Sequence, residues 1–380
     1  MYTAIRYALT VALSLAMLSA GARNSHDTPI GRGLHTITQE AAKAHVAFLA
    51  HDLLEGRRAG ERGSQIAQLY LQTQMSLLGI GPLLPSGYRQ PFTAIGSPRL
   101  HRVPRYFVEP DSVDSLRRLP HCQLPMANVL GVLPGTQPDE YVVVGAHLDH
   151  EGINPQLSGD KIYNGADDNA SGLSAVLQIM KALATAGQQP RRTIIFAFWD
   201  GEEFGLLGSR YFVSHFQAMD KVRGYLNFDM VGGNHLPDDP WHVVYFYSAS
   251  HPRFGQWLRS DVQRYQLSLH PDYRAWDNPV GGSDQGSFVR HGVPIIWYHT
   301  DGQPHYNQPS DEAQTLNYPK LADITRAAYL TVWHLANDEL YPPPGLSLPL
   351  PASPPVIYRP LPHSSLCPLW LPEPLLYNKV

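Results

Sequence analysis

The chain has 380 residues, 43% of them apolar, and a formal charge of -4, enough for one large domain or two small ones with a sizeable core. No basic surplus marks a nucleic-acid surface, and no segment beyond the first residues is long and apolar enough to cross a bilayer.

Arg6 precedes a run from Ala8 to Ala20 that is apolar except for Thr10, Ser14 and Ser19, and Gly21 and Ala22 follow. This is the basic, apolar, small-residue order of a secretory signal peptide over residues 1–22. It predicts an exported protein, periplasmic or extracellular, with no membrane partner once the leader is removed. Cys122 and Cys367 could form one disulfide in such a compartment, although two loosely constrained thiols are the favoured reading. They are too few for a zinc–thiolate cluster.

After an N-terminal segment at 23–37, one domain is expected over 38–340. Residues 38–54 and 62–79 carry helical patterns, the first capped by Thr38 with Ala41, Ala42, Val46, Leu49 and Leu53 on one face. The charged, glycine-punctuated "EGRRAGERGS" joins them. Residues 83–135 read as irregular and proline-rich, with short strands at 106–108 and 127–133.

From residue 140 the pattern changes. "YVVVGA" (141–146) and "TIIFAFW" (193–199) are continuous apolar runs of the kind buried on both faces. Helical segments follow at 171–186 and 206–215. "GYLNFDM", "HVVYFYS" and "VPIIWYHT" supply further strands, while 252–267 and 318–337 read as helices. This alternation predicts an α/β fold with a mostly parallel central sheet flanked by helices on both faces. Ligands in such a sheet gather beyond the carboxyl ends of the strands. Residues 341–380 form a proline-rich tail, unsuited to helix or central strand.

The polar residues at those strand ends carry the chemistry. "GAHLDH" offers His147 and Asp149, "NGADDNASG" offers Asp167 and Asp168, "WDGEE" offers Asp200, Glu202 and Glu203, and "YLNFDM" offers Asp229. Singly, each has a plainer explanation as a surface pair, a helix cap or a solvated turn. Together they bring one imidazole and several mutually repelling acids to one edge, which a cation would neutralise. The donor types suit zinc, with manganese or cobalt left open. The surplus of acids points to two ions roughly 3.5–4 Å apart sharing one carboxylate. Asp149 is placed to orient His147, and Glu203 to ligate while Glu202 holds a water's proton. The helical HExxH signature, the P-loop and the nucleophile elbow are absent.

Over roughly residues 38–338, and most strongly over 141–311, the chain resembles the M28 family of zinc metallopeptidases, the co-catalytic di-zinc aminopeptidase group. "GAHLDH", "GADDNASG", "FWDGEEFGLLGS", "NFDM" and "GGSDQGSFVRHGVP" fall in the family's order and spacing. The resemblance implies a phosphorylase/hydrolase-like metallopeptidase architecture holding two Zn2+ ions. His147 and Asp229 would bind one ion and Glu203 the other. Asp168 would bridge them, Glu202 would serve as general base, Asp149 would support His147, and the Asp168–Asn169 peptide would be a candidate for the cis form.

One position departs from the family's pattern. A ligating His is expected four residues before Asp311, where Asn307 stands. His305 is then the expected replacement, against Asn307 ligating weakly or a poorly held second ion; His299 ends the preceding strand. The implied activity is hydrolysis of peptide bonds at the amino terminus of a peptide or small amide, with Tyr298 or Tyr306 as candidate oxyanion donors. The resemblance also leaves room for carboxypeptidase activity, single-zinc glutaminyl-cyclase chemistry or other amide hydrolysis, and a non-catalytic metal or peptide binder stands as a further alternative. Asp284 reads as shaping the pocket, and oligomeric state is not legible.

Overall fold

The computed structural model describes residues 27–97, 105–119, 121–277 and 281–339. The leader at 1–22, Cys367 and the tail from 341 lie outside the described residues.

Helix α1 (Pro29–His35) is capped by Thr28, and α2 (Gln39–Leu49) by Thr38, whose side chain accepts the Ala41 N–H. Helix α2 is shorter than its pattern suggests. It stops at Ala50, so Leu53 falls in the 3-10 turn Asp52–Arg57 and is 74% exposed. Helix α3 (Arg62–Leu77) leads to β1 (Gly81–Pro82) and β2 (Arg89–Ser97). Strand β3 (Arg105–Phe107), α4 (Pro110–Leu116) and the long β4 (Cys122–Leu133) follow. The segment expected to be irregular thus contains β2, which pairs with β4 from Arg89–Val129 to Gly96–Cys122. Pro91 and its polar neighbours hide that strand from pattern reading, because it is defined by its partner and not by burial on both faces.

The central strands are β5 (Gln137–His147), β8 (Arg192–Trp199) and β9 (Val222–Phe228), with the small β6 (Gly152–Ile153) and β7 (Ile162–Tyr163) paired between the first two in sequence. Helix α5 (Gly172–Ala186) connects to β8 and α6 (Leu207–His215) leaves it. Strand β10 (His242–Tyr247), α7 (Pro252–Arg264), β11 (His270–Ala275), α8 (Gln285–Val289), β12 (Ile295–His299) and α9 (Tyr318–Asn337) complete the described chain.

The large sheet runs β11-β10-β12-β9-β5-β8-β4-β2-β3, with β1 beside β4. It is parallel through β12, β9, β5 and β8 and at the β10–β11 edge, and antiparallel where β4, β2 and β3 extend it. The sheet is therefore mixed, with its parallel part at the centre. Strand alternation divides the core. Val142, Val144, Ile194, Phe196 and Phe198 pack with α2, α5 and α9, whereas Val143, Ile195, Ala197 and Trp199 pack with α6 and α8. Both faces are covered, and the open carboxyl ends of β5, β8 and β9 lie side by side. Among the described residues, no helix is long and apolar enough to cross a membrane.

Candidate metal centre

Each central strand ends in a ligand-bearing turn. His147 is the last residue of β5, Glu202 and Glu203 follow β8, and Asp229 follows β9. Gly201, at φ 79, turns the chain after β8, and a Cβ there would lie 2.7 Å from the Met126 sulfur. Asp168 comes from the turn 166–171 before α5, and its peptide bond to Asn169 is cis.

Three groups of donors meet: His147 with Asp168 and Asp229, His147 with Glu202 and Glu203, and His150 with Asp168 and Glu203. Within each group the donor atoms lie within 4.8 Å of one another. His147 Nε2 is 3.1 Å from Asp168 Oδ1 and 3.6 Å from Asp229 Oδ1. Two donors about 2.0–2.1 Å from a tetrahedral ion stand roughly 3.3 Å apart, so these separations suit zinc. The tautomer supports this. His147 Nδ1 lies 3.1 Å from the Asp149 carbonyl, which can only accept, so Nδ1 carries the hydrogen and the neutral ring aims a lone pair at two carboxylate oxygens. A proton or a metal ion must stand between them. Burial works against the proton, but Asp229 and Asp168 prevail and hold the His147 pKa well above its ordinary value.

The two glutamates are raised, by burial first, whereas at Asp168 burial is outweighed by His147, His150 and Arg57, which lower it. Glu202 lies well above the carboxylate range through burial, reinforced by Glu203 and Asp284, and Glu203 does so through burial and Asp168. Such a concentration of carboxylates, with Asp168 Oδ1 buried and lacking a hydrogen-bond partner, is what divalent cations relieve. The donor set fits zinc.

The adjacent acids divide their work. Asp167 turns away from the centre and accepts the N–H groups of Gly232 and Gly233 at 2.8 and 2.9 Å. Asp200 also points away, toward Gln68, Ser64 and the Ala127 N–H, and burial pushes it up to about 8. Asp149 accepts the N–H of Glu202 at 3.0 Å and of Glu203 at 3.3 Å. Its carboxylate therefore braces the glutamate turn, while its carbonyl holds His147.

His305 is not among the donors gathered here. Its Nδ1 lies 3.0 Å from Ser310 Oγ, and its backbone N–H donates to Gln303. The loop that carries it is anchored by Asp311, which accepts the N–H groups of Asp167 and Asp168 at 3.0 Å. Asn307 has a buried Oδ1 without a hydrogen-bond partner. His299 is engaged through Nδ1 with the Asp229 carbonyl at 2.7 Å. Tyr298 lies in the core, stacked on Phe228 with ring centroids 4.9 Å apart, and so is withdrawn from the site. Tyr306 is 42% exposed as a residue, while burial, Asp168 and Glu203 raise its phenol. Asp284 is fully buried and pushed up to about 7 by burial.

Two participants escaped the sequence reading. His150 stands within the quoted "GAHLDH", but beyond a strand end its direction is not legible. Arg57 sits in the charged connection that resembles a solvated loop. It is fully buried and donates to the carbonyls of Leu49, Leu148, Asn164 and Gly165, tying α2, β5 and the Asp168 turn together. Burial lowers its pKa to about 10, and the negative charges of Asp168 and Asp311 oppose that fall.

Residues 128–332 match the family model described as peptidase family M28. Leupeptin-inactivating enzyme 1 of Streptomyces exfoliatus is 30% identical over 229 residues, covering 57% of this chain and 50% of that protein. The probable leucine aminopeptidase 2 of Aspergillus oryzae is 31% identical over 239 residues, covering 56% and 45%. The chain thus spans about half the length of these relatives. Among solved structures, a zinc aminopeptidase from Bacillus subtilis superposes with a TM-score of 0.59 at 16% identity, over 80% of this chain and 96% of that one.

Proposed function

Because the chain belongs to peptidase family M28, we propose that it is a zinc-dependent peptidase that releases amino-terminal residues from peptides. The observation that carries the reading is the convergence of His147, Asp168 and Asp229, with Glu202 and Glu203 beside them. The similarity to a protein named as a probable leucine aminopeptidase supports the same reading.

His147, Asp168 and Asp229 would hold one ion, and Asp168 and Glu203 would supply oxygens to a second. Bound there, zinc would polarise the scissile carbonyl and ease deprotonation of the attacking water. Glu202 takes that proton and returns it to the leaving amine. Asp149 fixes Glu202 through its backbone N–H, so the base approaches from one direction. Tyr306, at the lip of the site, donates to the developing oxyanion.

The leader-like opening of the sequence supports export, so that hydrolysis takes place outside the cytoplasm.

The test incubates the purified protein with aminoacyl-anilides, carboxyl-terminally unblocked peptides and a peptide beginning with glutamine. Amine release from the anilides, lost on chelation and restored by zinc, is expected. Ring closure of the glutamine peptide without hydrolysis would replace this reading with cyclase chemistry. Metal binding without turnover of any substrate would favour a binder.

A further inference from the structure

We propose that His150 is the nitrogen ligand of the second metal position, where it joins Glu203 and Asp168. The inference rests on the two-ion reading and supplies the donor that reading leaves open.

The geometry points to His150 in three ways. Its Nδ1 lies 2.7 Å from Glu203 Oε1 and 3.9 Å from Asp168 Oδ2, separations that bracket the roughly 3.3 Å edge of a tetrahedral zinc site. Asp168 turns its other oxygen, Oδ1, to His147 Nε2. One carboxylate thus spans two imidazoles, as a bridging ligand must. The ring is also held in place. His150 is fully buried, its backbone N–H donates to the Arg57 carbonyl, and its ring lies against Gly165, where a Cβ would come within 2.5 Å of His150 Cδ2. Gly165, at φ 57, leaves the space the ring occupies.

The rival donors are less suited. His305 is committed to Ser310 and partly exposed. Asn307 brings an amide oxygen and no imidazole nitrogen.

The two positions are not equivalent. The Nδ1–H of His147 is held by the Asp149 carbonyl, whereas His150 Nε2 is buried without a hydrogen-bond partner. A ligand lacking this outer partner binds roughly 10–100-fold more weakly. The second ion is therefore the first to leave.

The experiment measures zinc content and competes the zinc-loaded full chain against a chromophoric chelator. The unmutated protein should hold two equivalents, the weaker by roughly 10–100-fold. His150→Ala and His150→Gln should retain one tight equivalent, and His305→Ala and Asn307→Ala should retain two. Two equivalents at unchanged affinity in the His150 variants would overturn the assignment, as would loss of one equivalent in either loop variant. One equivalent in the unmutated chain would remove the second position and leave the first standing. None would overturn the peptidase reading as well. If the His150 variants fail to fold, the cobalt-substituted unmutated protein decides through its hyperfine-shifted imidazole N–H resonances. Two that persist in His305→Ala are expected, and a single one would contradict His150.

Discussion

The Asp149 carboxylate accepts the backbone N–H of Glu202 at 3.0 Å, so the residue two positions beyond His147 also aims the proposed general base. Asp149→Asn replaces one accepting oxygen with a donor that opposes a backbone N–H. The fall in kcat should be roughly 10–100-fold with KM little changed, since the carbonyl that holds His147 remains. Steady-state kinetics beside a zinc titration checks this. Equal loss of zinc affinity would assign Asp149 to the metal instead.

Glu202→Gln keeps the shape of the side chain and removes its basicity. Zinc content should stay unchanged while kcat falls roughly 10²–10⁴-fold. Metal analysis and anilide hydrolysis on the same preparation provide the measurement. Undiminished turnover would remove Glu202 from the role of base.

Arg57→Met leaves four buried carbonyls without their donor. A loss of about 3 kcal/mol or more in unfolding free energy is expected. Arg57→Lys should recover only part of it, because an ammonium cannot reproduce the guanidinium fork. Denaturant titration of the three proteins distinguishes this bracing role from a surface charge, whose removal would change little.

His45 contacts the Tyr70 hydroxyl through Nδ1 at 2.8 Å, and burial, aided by Lys181, pushes its pKa down from 6.5 to about 4. Between these values the unfolded chain binds the proton and the folded chain does not. Stability therefore rises with pH through this window and declines on acidification from pH 6.5 toward 4. Denaturation midpoints for the unmutated protein and His45→Gln should diverge in slope across that range, the variant being flatter. Parallel curves would contradict the prediction.

The parts of the fold that were legible are those buried on both faces. Val142 to Val144 and Ile194 to Trp199 advertise central strands by themselves, and the acids just beyond them follow from where such strands end. Strands β2 and β11 were not legible. Pro91 interrupts the apolar pattern of the first, and the second is a polar edge strand defined by its pairing with β10. The same limit governs the site. His147, Asp168, Glu203 and Asp229 could be named from their positions, but the direction of His150 depends on the turn after β5 and on the space left by Gly165. His305 was expected from its place in the loop, yet the turn to Ser310 takes its ring elsewhere. Arg57 looked solvated because nothing in its neighbours announces four buried carbonyls.

Anomalous diffraction at the zinc edge from crystals grown with zinc tests the central claim most directly. Two peaks roughly 3.5–4 Å apart astride Asp168 are predicted, one among His147 and Asp229 and the other against Glu203 and His150. The absence of any peak within ligand reach of Asp168 would contradict the account.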